Sequence, residues 1–295
     1  METKTKRLIA WLLVPFLAVT ALIYKGYFEL ESDHNLLVHF YDVGQGDAIF
    51  IQTYWGNQVL VDGGPGSTVL QELGKDMPFF DRTIEMIILS HPHEDHVSGL
   101  IEVLKRYKVQ KVLMPDVEFD SSAFKEFLRL VEEEGAEKIY AHEGLRIWLD
   151  NTTVFDIYYP RPGKFVADND AQGLNGEKVN PNDVSIVGKL TFGRTRILFT
   201  GDAGFDIENL LLPKYNLDSD ILKVGHQGSK YSTSDAFLSE VTPDYAVIMV
   251  GKNSYGHPTQ ETLDNLGEIR TKVFRTDQNH TIRFESDGQQ IFLAE

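Results

Sequence analysis

The sequence contains no cysteine among its 295 residues. Disulfide bonds and thiolate metal sites are therefore excluded, so any metal ion would need ligands from histidine, aspartate, glutamate or asparagine. Positive charge is also scarce, because 28 Lys and Arg stand against 44 Asp and Glu and give a formal net charge of −16. Such a chain is not expected to bind nucleic acid through its general surface. Divalent cations in a site can still reverse the local field for a polyanionic substrate.

Long hydrophobic runs are absent except near the N-terminus. Residues 1–7 are basic, and residues 8–24 contain no charged side chain. A helix over residues 8–24 would be about 25 Å long, just short of a typical hydrocarbon core. Because the basic residues precede it, the positive-inside rule predicts a single-pass membrane anchor with the remaining chain on the extracellular side. The alternative is a cleaved signal peptide with a weak site at residues 19–21, which would give a secreted protein.

A polar linker, residues 25–35, leads to a predicted domain of residues 36–295. Within this domain, short β-rich runs alternate with amphipathic helical stretches, and there is no internal repeat or low-complexity segment. The pattern predicts an α+β fold in which two mixed β-sheets pack together with helices outside, a four-layer αββα sandwich. Residues 161–183, rich in glycine and asparagine, are predicted to be a loop that lines a site or is mobile.

Four potential metal ligands, His91, His93, Asp95 and His96, lie within six positions. The preceding residues 83–90 predict a buried strand, and a helix is predicted directly after the histidines. His91 and His93 therefore leave the strand end, whereas Asp95 and His96 point from the turn that starts the helix. One such loop can serve two metal ions. A solvated polar loop is the alternative interpretation.

Further candidate ligands occur at other strand ends. Asp62 follows the apolar run VLV and is expected to lie behind the ligands. Each of the other candidates alone has an ordinary structural explanation, but their shared position on one rim predicts a common site. These are Asp202 after RILFT, His226 after DILKV, and Asn182 and Asp183 before SIVGKL.

The ordered motifs VLVDGG, SHPHEDH, LFTGD and LKVGH resemble the metallo-β-lactamase superfamily. With DVGQGDAIF, NDVSIV, NSYGHP and FRTDQN, they are similar to the C-terminal nuclease-like domain of ComEC-type competence proteins. The resemblance covers about residue 36 to the C-terminus and implies the metallo-β-lactamase fold. The polytopic channel region of full competence proteins has no counterpart here, so a role in DNA translocation is not implied.

The resemblance implies two divalent cations, zinc or manganese, as cofactors. The third histidine that the superfamily places on the first cation has no equivalent here, and Asp183 or Asn182 stands in that region. The other implied ligands are His91 and His93 on the first cation, Asp95, His96 and His226 on the second, and Asp202 bridging the two.

Catalytic roles are implied for Asp62, Asp95 and His257. The two cations would lower the pKa of a shared water, which attacks as a bridging hydroxide. His257 would contact the substrate or protonate the leaving oxygen, although a turn histidine is an equally ordinary interpretation. Relatives usually have a second histidine where this chain has Gln227, which cannot donate a proton as an acid. The implied substrate-binding residues are Gln227, Ser229, Lys230 and His257.

The predicted function is that of an extracytoplasmic dinuclear-metal hydrolase, a phosphodiesterase or nuclease acting on DNA or another phosphodiester. One alternative is hydrolysis of a non-nucleic phosphodiester of the phosphorylcholine type, or of a lactone or β-lactam carbonyl. A binding module that retains metals without turnover is a further alternative, against which the full ligand set argues. The expected partners are the substrate and, through the N-terminal segment, the membrane; no protein partner is inferred.

Overall fold

The computed structural model describes residues 11, 13–22, 34–171 and 178–294. The chain divides into two units, Met1–His34 and Asn35–Glu295. In the first unit, residues 11 and 13–22 are helical and their side chains are exposed.

The predicted membrane anchor is contradicted within these described ranges. No helix there is long and apolar enough to cross a membrane. The prediction of a single-pass protein of the cell membrane is therefore wrong. The other parts of the predicted N-terminal segments, residues 1–10, 12 and 23–33, lie outside the described residues, and their boundaries stay a prediction.

The second unit contains the strands and helices that build the site. Its strands are β1 (Leu36–Phe40), β2 (Ile49–Gln52), β3 (Gln58–Val61), β4 (Thr83–Ile88), β5 (Lys108–Pro115), β6 (Val117–Phe119), β7 (Glu137–Ala141), β8 (Arg146–Trp148), β9 (Thr153–Tyr159), β10 (Phe165–Ala167), β11 (Val187–Phe192), β12 (Thr195–Phe199), β13 (Ile221–Lys223), β14 (Tyr245–Ile248), β15 (Lys272–Arg275), β16 (Ile282–Ser286) and β17 (Ile291–Leu293). Its α-helices are α1 (Thr68–Asp76), α2 (Glu94–Leu104), α3 (Ser122–Glu134), α4 (Phe205–Leu211), α5 (Asp235–Val241), α6 (Gln260–Glu268) and α7 (Thr276–Asn279). Two short 3-10 segments cover Pro181–Val184 and Gly225–Gly228.

Two mixed sheets organise these strands. The larger sheet has the order β17-β16-β1-β2-β3-β4-β5-β7, antiparallel from β17 to β3 and parallel from β3 to β7. The smaller sheet has the order β15-β14-β13-β12-β11-β9-β8, parallel from β15 to β12 and antiparallel from β12 to β8. A separate parallel pair, β6 and β10, places a strand inside the segment that the sequence predicted to be a loop.

Three clusters of buried side chains define four layers. The central cluster lies between the two sheets and includes Phe40, Ile88, Phe155 and Phe199. A second cluster joins the larger sheet to α1, α2 and α3, and a third joins the smaller sheet to α4, α5 and α6. The order helix, sheet, sheet, helix confirms the predicted αββα sandwich.

The end of strand β4 illustrates why a strand that is covered on both faces is apolar at successive positions. Ile87 belongs to the cluster under the helices, whereas Ile88 belongs to the cluster between the sheets. Successive side chains of a strand point to opposite faces, so a strand covered on both faces needs apolar residues at every position. The run therefore delivers the polar residues that follow it directly to the rim of the sandwich.

Close glycine packing fixes the helix that carries the histidine motif. A Cβ atom at Gly99 of α2 would lie 1.7 Å from the carbonyl oxygen of Gly63, so only glycine permits this approach. The Gly63 N–H donates to the His96 carbonyl at 2.8 Å, and the Gly99 N–H donates to the Gly64 carbonyl at 2.9 Å. The turn after β3 thus holds the first turns of α2, which carry Asp95 and His96.

Candidate active site

The candidate ligands lie at the carboxyl ends of parallel strands in both sheets. His91 follows β4 of the larger sheet, and Asp202 and His226 follow β12 and β13 of the smaller sheet. Neighbouring parallel strands end at the same edge, which is where open α/β sheets bind their ligands. Packing the two sheets face to face brings the two sets of loops together.

Asp202 is the centre of this arrangement. Its Oδ2 atom lies 3.8 Å from His91 Nε2, 3.6 Å from His96 Nε2 and 3.8 Å from His226 Nε2. Ligand atoms that are each about 2.1 Å from one ion lie roughly 3–4 Å apart, so these separations suit shared metal ions. His96 Nε2 and Asp202 Oδ1 are buried and have no hydrogen-bond partner among the described residues. The imidazole and carboxylate donors therefore fit divalent cations.

The electrostatics of the buried ligands agree with this fit. Burial opposes the charged form of His96, but the carboxylates of Asp202, Asp95 and Asp62 outweigh it and raise the pKa of His96 well above its usual value. Burial and then His96 lower the pKa of His91 well below its usual value. Burial would raise the pKa of Asp202, yet the neighbouring histidines hold that pKa well below the ordinary value. The pocket thus favours positive charge beside Asp202, where a divalent cation would replace a proton.

Asp62 fixes the orientation of His96 from behind. Its Oδ2 accepts from His96 Nδ1 at 2.8 Å and from Ser90 Oγ at 2.6 Å, and its Oδ1 accepts from the Ser90 N–H at 2.7 Å. A carboxylate on the far nitrogen keeps the proton on Nδ1, so that His96 Nε2, which faces Asp202, is the nitrogen that would bind a cation in place of its proton. Asp62 is almost fully buried and therefore orients a ligand without facing the cavity.

His93 stands at the outer side of the histidine cluster. Its Nδ1 atom lies 3.1 Å from His91 Nε2, and its Nε2 atom lies 3.3 Å from Asn169 Oδ1. Burial lowers the pKa of His93, which favours the neutral imidazole that binds metals. His91 and His93 are therefore close enough to share the first cation.

The structure separates the two candidates for the third ligand of the first cation. Asn182 lines the site cavity, and its Oδ1 is buried without a hydrogen-bond partner in the described part of the chain. Asp183 does not line that cavity; burial and then Asp206 raise the pKa of its carboxyl. Asn182 is thus better placed than Asp183 to face a cation.

A cavity of about 320 Å³ opens above the ligands. The rings of His226 and His257 meet there at 5.4 Å between centroids. Burial and then His226 lower the pKa of His257, so this imidazole is neutral at neutral pH. The cavity is lined by His93, Glu94, Asp95, Asn182, Asp202, His226, Gln227, Tyr255 and His257.

The predicted substrate-binding residues are placed differently from one another. Gln227 and His257 line the cavity, and the Gln227 side chain donates to Asp95 at 2.9 Å. Ser229 is buried and its Oγ accepts from the Tyr231 N–H at 3.3 Å. Lys230 is exposed, with Nζ 4.9 Å from the centre of the Tyr231 ring. Ser229 and Lys230 do not line the cavity, and their substrate role stays a prediction.

Two buried charges beside the site had not been predicted from the sequence. Lys223 at the end of β13 forms an ion pair with Asp47, lies 3.7 Å from Asp202 Oδ1 and donates to the Gly201 carbonyl at 2.8 Å. Burial raises the pKa of Asp47 to about 7, although Lys223 opposes the shift. The available signal was a lone lysine inside the apolar run DILKV, since a charge in a buried strand needs a partner.

Comparison with known proteins identifies the family to which this chain belongs. Residues 41–252 match the metallo-beta-lactamase superfamily. The chain belongs to this superfamily. Its members are generally metal-dependent hydrolases, and their fold binds divalent metal ions, often two.

Relatives within the superfamily are competence proteins. The chain is 28% identical to ComE operon protein 3 of Bacillus subtilis (strain 168) over 264 residues, which is 82% of this chain and 32% of that protein. It is 27% identical to competence protein ComA of Neisseria gonorrhoeae over 263 residues, or 87% of this chain and 33% of that protein. The chain thus spans about a third of the length of the relatives it matches. The predicted ComEC-like branch is confirmed.

Solved structures of other proteins share the fold. CmlA, a diiron β-hydroxylase from Streptomyces venezuelae, matches with a TM-score of 0.55 at 14% identity and covers 88% of this chain and 54% of its own. A long form RNase Z from yeast matches with a TM-score of 0.52 at 12% identity and covers 88% of this chain and 42% of its own. At such low identity these structures show the fold alone.

Proposed function

We propose that this chain is a divalent-metal-dependent phosphodiesterase that cleaves DNA. The observation that carries the proposal is Asp202 Oδ2, which lies 3.6 to 3.8 Å from imidazole nitrogens contributed by both sheets. Of these residues, Asp202 and His226 line an open cavity of about 320 Å³. Similarity to competence proteins over more than four-fifths of the chain supports a phosphodiester rather than a carbonyl substrate.

The charge distribution supports a substrate that is bound mainly at the metal centre. Glu94, Asp95 and Asp202 line the cavity, and the chain carries a net charge of −16. An anionic phosphodiester would be repelled from this cavity without cations, whereas bound divalent ions invert the local field. Few basic side chains are available to bind the other phosphate groups of a DNA substrate. We therefore expect cleavage of DNA to depend only weakly on salt, with a shallow slope in a log–log plot.

The ligands would divide between two cations. Two divalent ions would clamp the phosphodiester oxygens and activate a water molecule. Asp202, whose Oδ2 lies close to imidazole nitrogens from both sheets, would contribute its carboxylate to the centre. The other residues that would hold the ions are His91, His93 and Asn182 on one side, and Asp95, His96 and His226 on the other.

Residues around the ligands have supporting roles in this proposal. Asp62 holds His96 so that its Nε2 atom faces the centre. His257 lines the cavity as a neutral imidazole, because burial and His226 lower its pKa. A neutral imidazole can donate a hydrogen bond to charge that develops on the leaving oxygen, or accept a proton from a bound water. It does not store an acidic proton at neutral pH.

A comparison of substrates tests the proposal. The full chain is stripped of metal by a chelator, supplied with manganese or zinc, and incubated with single-stranded DNA, bis-p-nitrophenyl phosphate or nitrocefin. We expect cleavage of both phosphodiesters only after metal is restored, and none with Asp202→Asn. Hydrolysis of nitrocefin or a lactone, with both phosphodiesters left intact, would overturn the proposal.

A further inference from the structure

We propose that Gln45 and Gln227 position Asp95 for metal binding, so that Gln227 acts on a ligand rather than on the substrate. The inference rests on the proposed function only in treating Asp95 as a ligand. It concerns the loop before β2, which carries Gln45, and the side-chain amide of Gln227.

A directional chain of hydrogen bonds carries the inference. The backbone N–H of Gly251 donates to Gln45 Oε1 at 3.1 Å. Gln45 Nε2 then donates to Gln227 Oε1, and Gln227 Nε2 donates to Asp95 Oδ2 at 2.9 Å. A backbone N–H can only donate, so it fixes the orientation of the first amide, and each amide fixes the next. Asp95 therefore receives a donor, which a carboxylate requires.

The backbone around Gln227 is shaped for this contact. His226 and Gln227 both have left-handed backbone conformations, with φ values of 46° and 54°. Non-glycine residues rarely adopt such values unless the surroundings hold them there. The result places His226 at the cavity and the nearly fully buried Gln227 side chain against Asp95. Two candidate ligands of the same cation are thus tied together by one residue.

The loop that carries Gln45 also packs directly on Asp95. A Cβ atom at Gly46 would lie 2.0 Å from the Asp95 carbonyl oxygen, so a side chain there would displace the ligand. Asp95 Oδ2 itself lies 3.9 Å from His96 Nε2, on the side of the second cation. The loop and the amide chain together hold both the backbone and the carboxylate of Asp95.

The chemistry of an amide suits a supporting role. Gln227 donates one N–H to Asp95 while its oxygen accepts from Gln45, so the amide oxygen and one of the two N–H groups are engaged within the protein. Partners of this kind orient metal ligands, and their loss commonly costs about 10- to 100-fold in metal affinity. Histidine at this position would keep an N–H donor, which makes Gln227→His the conservative variant.

Metal binding without substrate tests the assignment. Zinc and manganese affinity and stoichiometry are measured on the full chain by calorimetry and elemental analysis. We expect Gln227→Met to weaken one of two metal sites by about 10- to 100-fold, and Gln227→His to restore affinity nearly to that of the unmodified chain. Gln45→Met should weaken the same site, and the double variant should be no worse than Gln227→Met, because both residues act through one chain.

The matched control is Gln110→Met, since Gln110 is exposed on β5 of the larger sheet and donates to Glu85 at 3.4 Å. It should leave both metal sites unchanged. If Gln227→Met kept both affinities and only raised KM for a phosphodiester, Gln227 would be a substrate-binding residue and the inference would be wrong. If Gln227→Met did not fold, unchanged metal affinity in Gln45→Met would overturn it. Failure to cleave DNA would affect the proposed function alone, because these measurements use no substrate.

Discussion

The two sheets contribute unlike halves to the site. The larger sheet supplies four candidate ligands from residues 91–96. Asp62 and Ser90 support them through short hydrogen bonds of 2.6 to 2.8 Å. The smaller sheet supplies Asp202 and His226 from separate strands, with a buried lysine behind them. The first half is a local motif on a helix start, whereas the second is assembled by strand order and requires compensation of buried charge.

The supports also show how the halves are joined. Asp47 precedes β2 of the larger sheet, and its partner Lys223 ends β13 of the smaller sheet. This ion pair crosses between the sheets, as does the contact from Gln227 to Asp95. The site is thus held together by charge on one side and by neutral amides on the other. Variants of the ion pair and variants of the amide contact should therefore have different effects.

The largest effect is expected from Lys223→Met. Removing the cation leaves Asp47 buried without its ion-pair partner, and breaking a buried pair in this way costs about 3–5 kcal/mol. Urea unfolding of the metal-free protein should show this loss in the free energy of unfolding, and added zinc or manganese should recover part of it. Lys230→Met, at an exposed position, is the control. A loss below about 1 kcal/mol would show that Lys223 does not balance the carboxylates.

His257→Gln should lower kcat rather than metal content. The imidazole lines the cavity of the smaller-sheet half, and a positioned group of this kind contributes about 100-fold or more to catalysis. Steady-state kinetics on bis-p-nitrophenyl phosphate and elemental analysis would be run together. Unchanged kcat, or loss of bound metal, would remove His257 from the reaction.

Asp62→Asn, in the larger-sheet half, should have the opposite effect and lower metal affinity rather than kcat. The amide cannot accept equally from Ser90 and His96, so the imidazole is no longer fixed, and metal affinity should fall by about 10- to 100-fold. Calorimetry with zinc would measure this fall. Asp156→Asn, which removes a surface ion pair with Arg146, should leave affinity unchanged.

The smallest expected effect concerns Asn182 and Asp183, the two adjacent candidates for the third ligand of the first cation. Asn182→Ala should weaken binding of one ion by about 10-fold, whereas Asp183→Ala should change it little, because only Asn182 lines the cavity. Paired metal titrations of the two variants would decide between them. The opposite ranking would restore Asp183 as the ligand.

The larger-sheet half was accessible from the sequence because its signal is local. An apolar strand followed by the closely spaced His91 and His96 predicts both the strand end and the ligands. Asp202 and His226 were also predicted, since each follows an apolar strand and such strands end at a common edge. The fold was predicted for the same reason, from apolar runs and helical periodicity.

What the sequence did not predict depends on contacts between distant residues. Lys223 and Asp47 each look like ordinary charged residues until β13 and β2 are brought into one core. Asn182 and Asp183 are neighbours on one turn, and only the path of the backbone selects the one that faces the cavity. The membrane anchor was wrong because hydropathy alone does not give the length of a helix.

The number of divalent ions bound per chain tests the central claim most directly, because Asp202 Oδ2 lies within 4 Å of imidazole nitrogens from both halves. Metal-free protein would be titrated with zinc or manganese and the bound ions counted by elemental analysis, for the unmodified chain and for Asp202→Asn. We predict two ions in the unmodified chain and loss of both high-affinity sites in the variant. A single ion in the unmodified chain, or two ions retained by Asp202→Asn, would contradict the account.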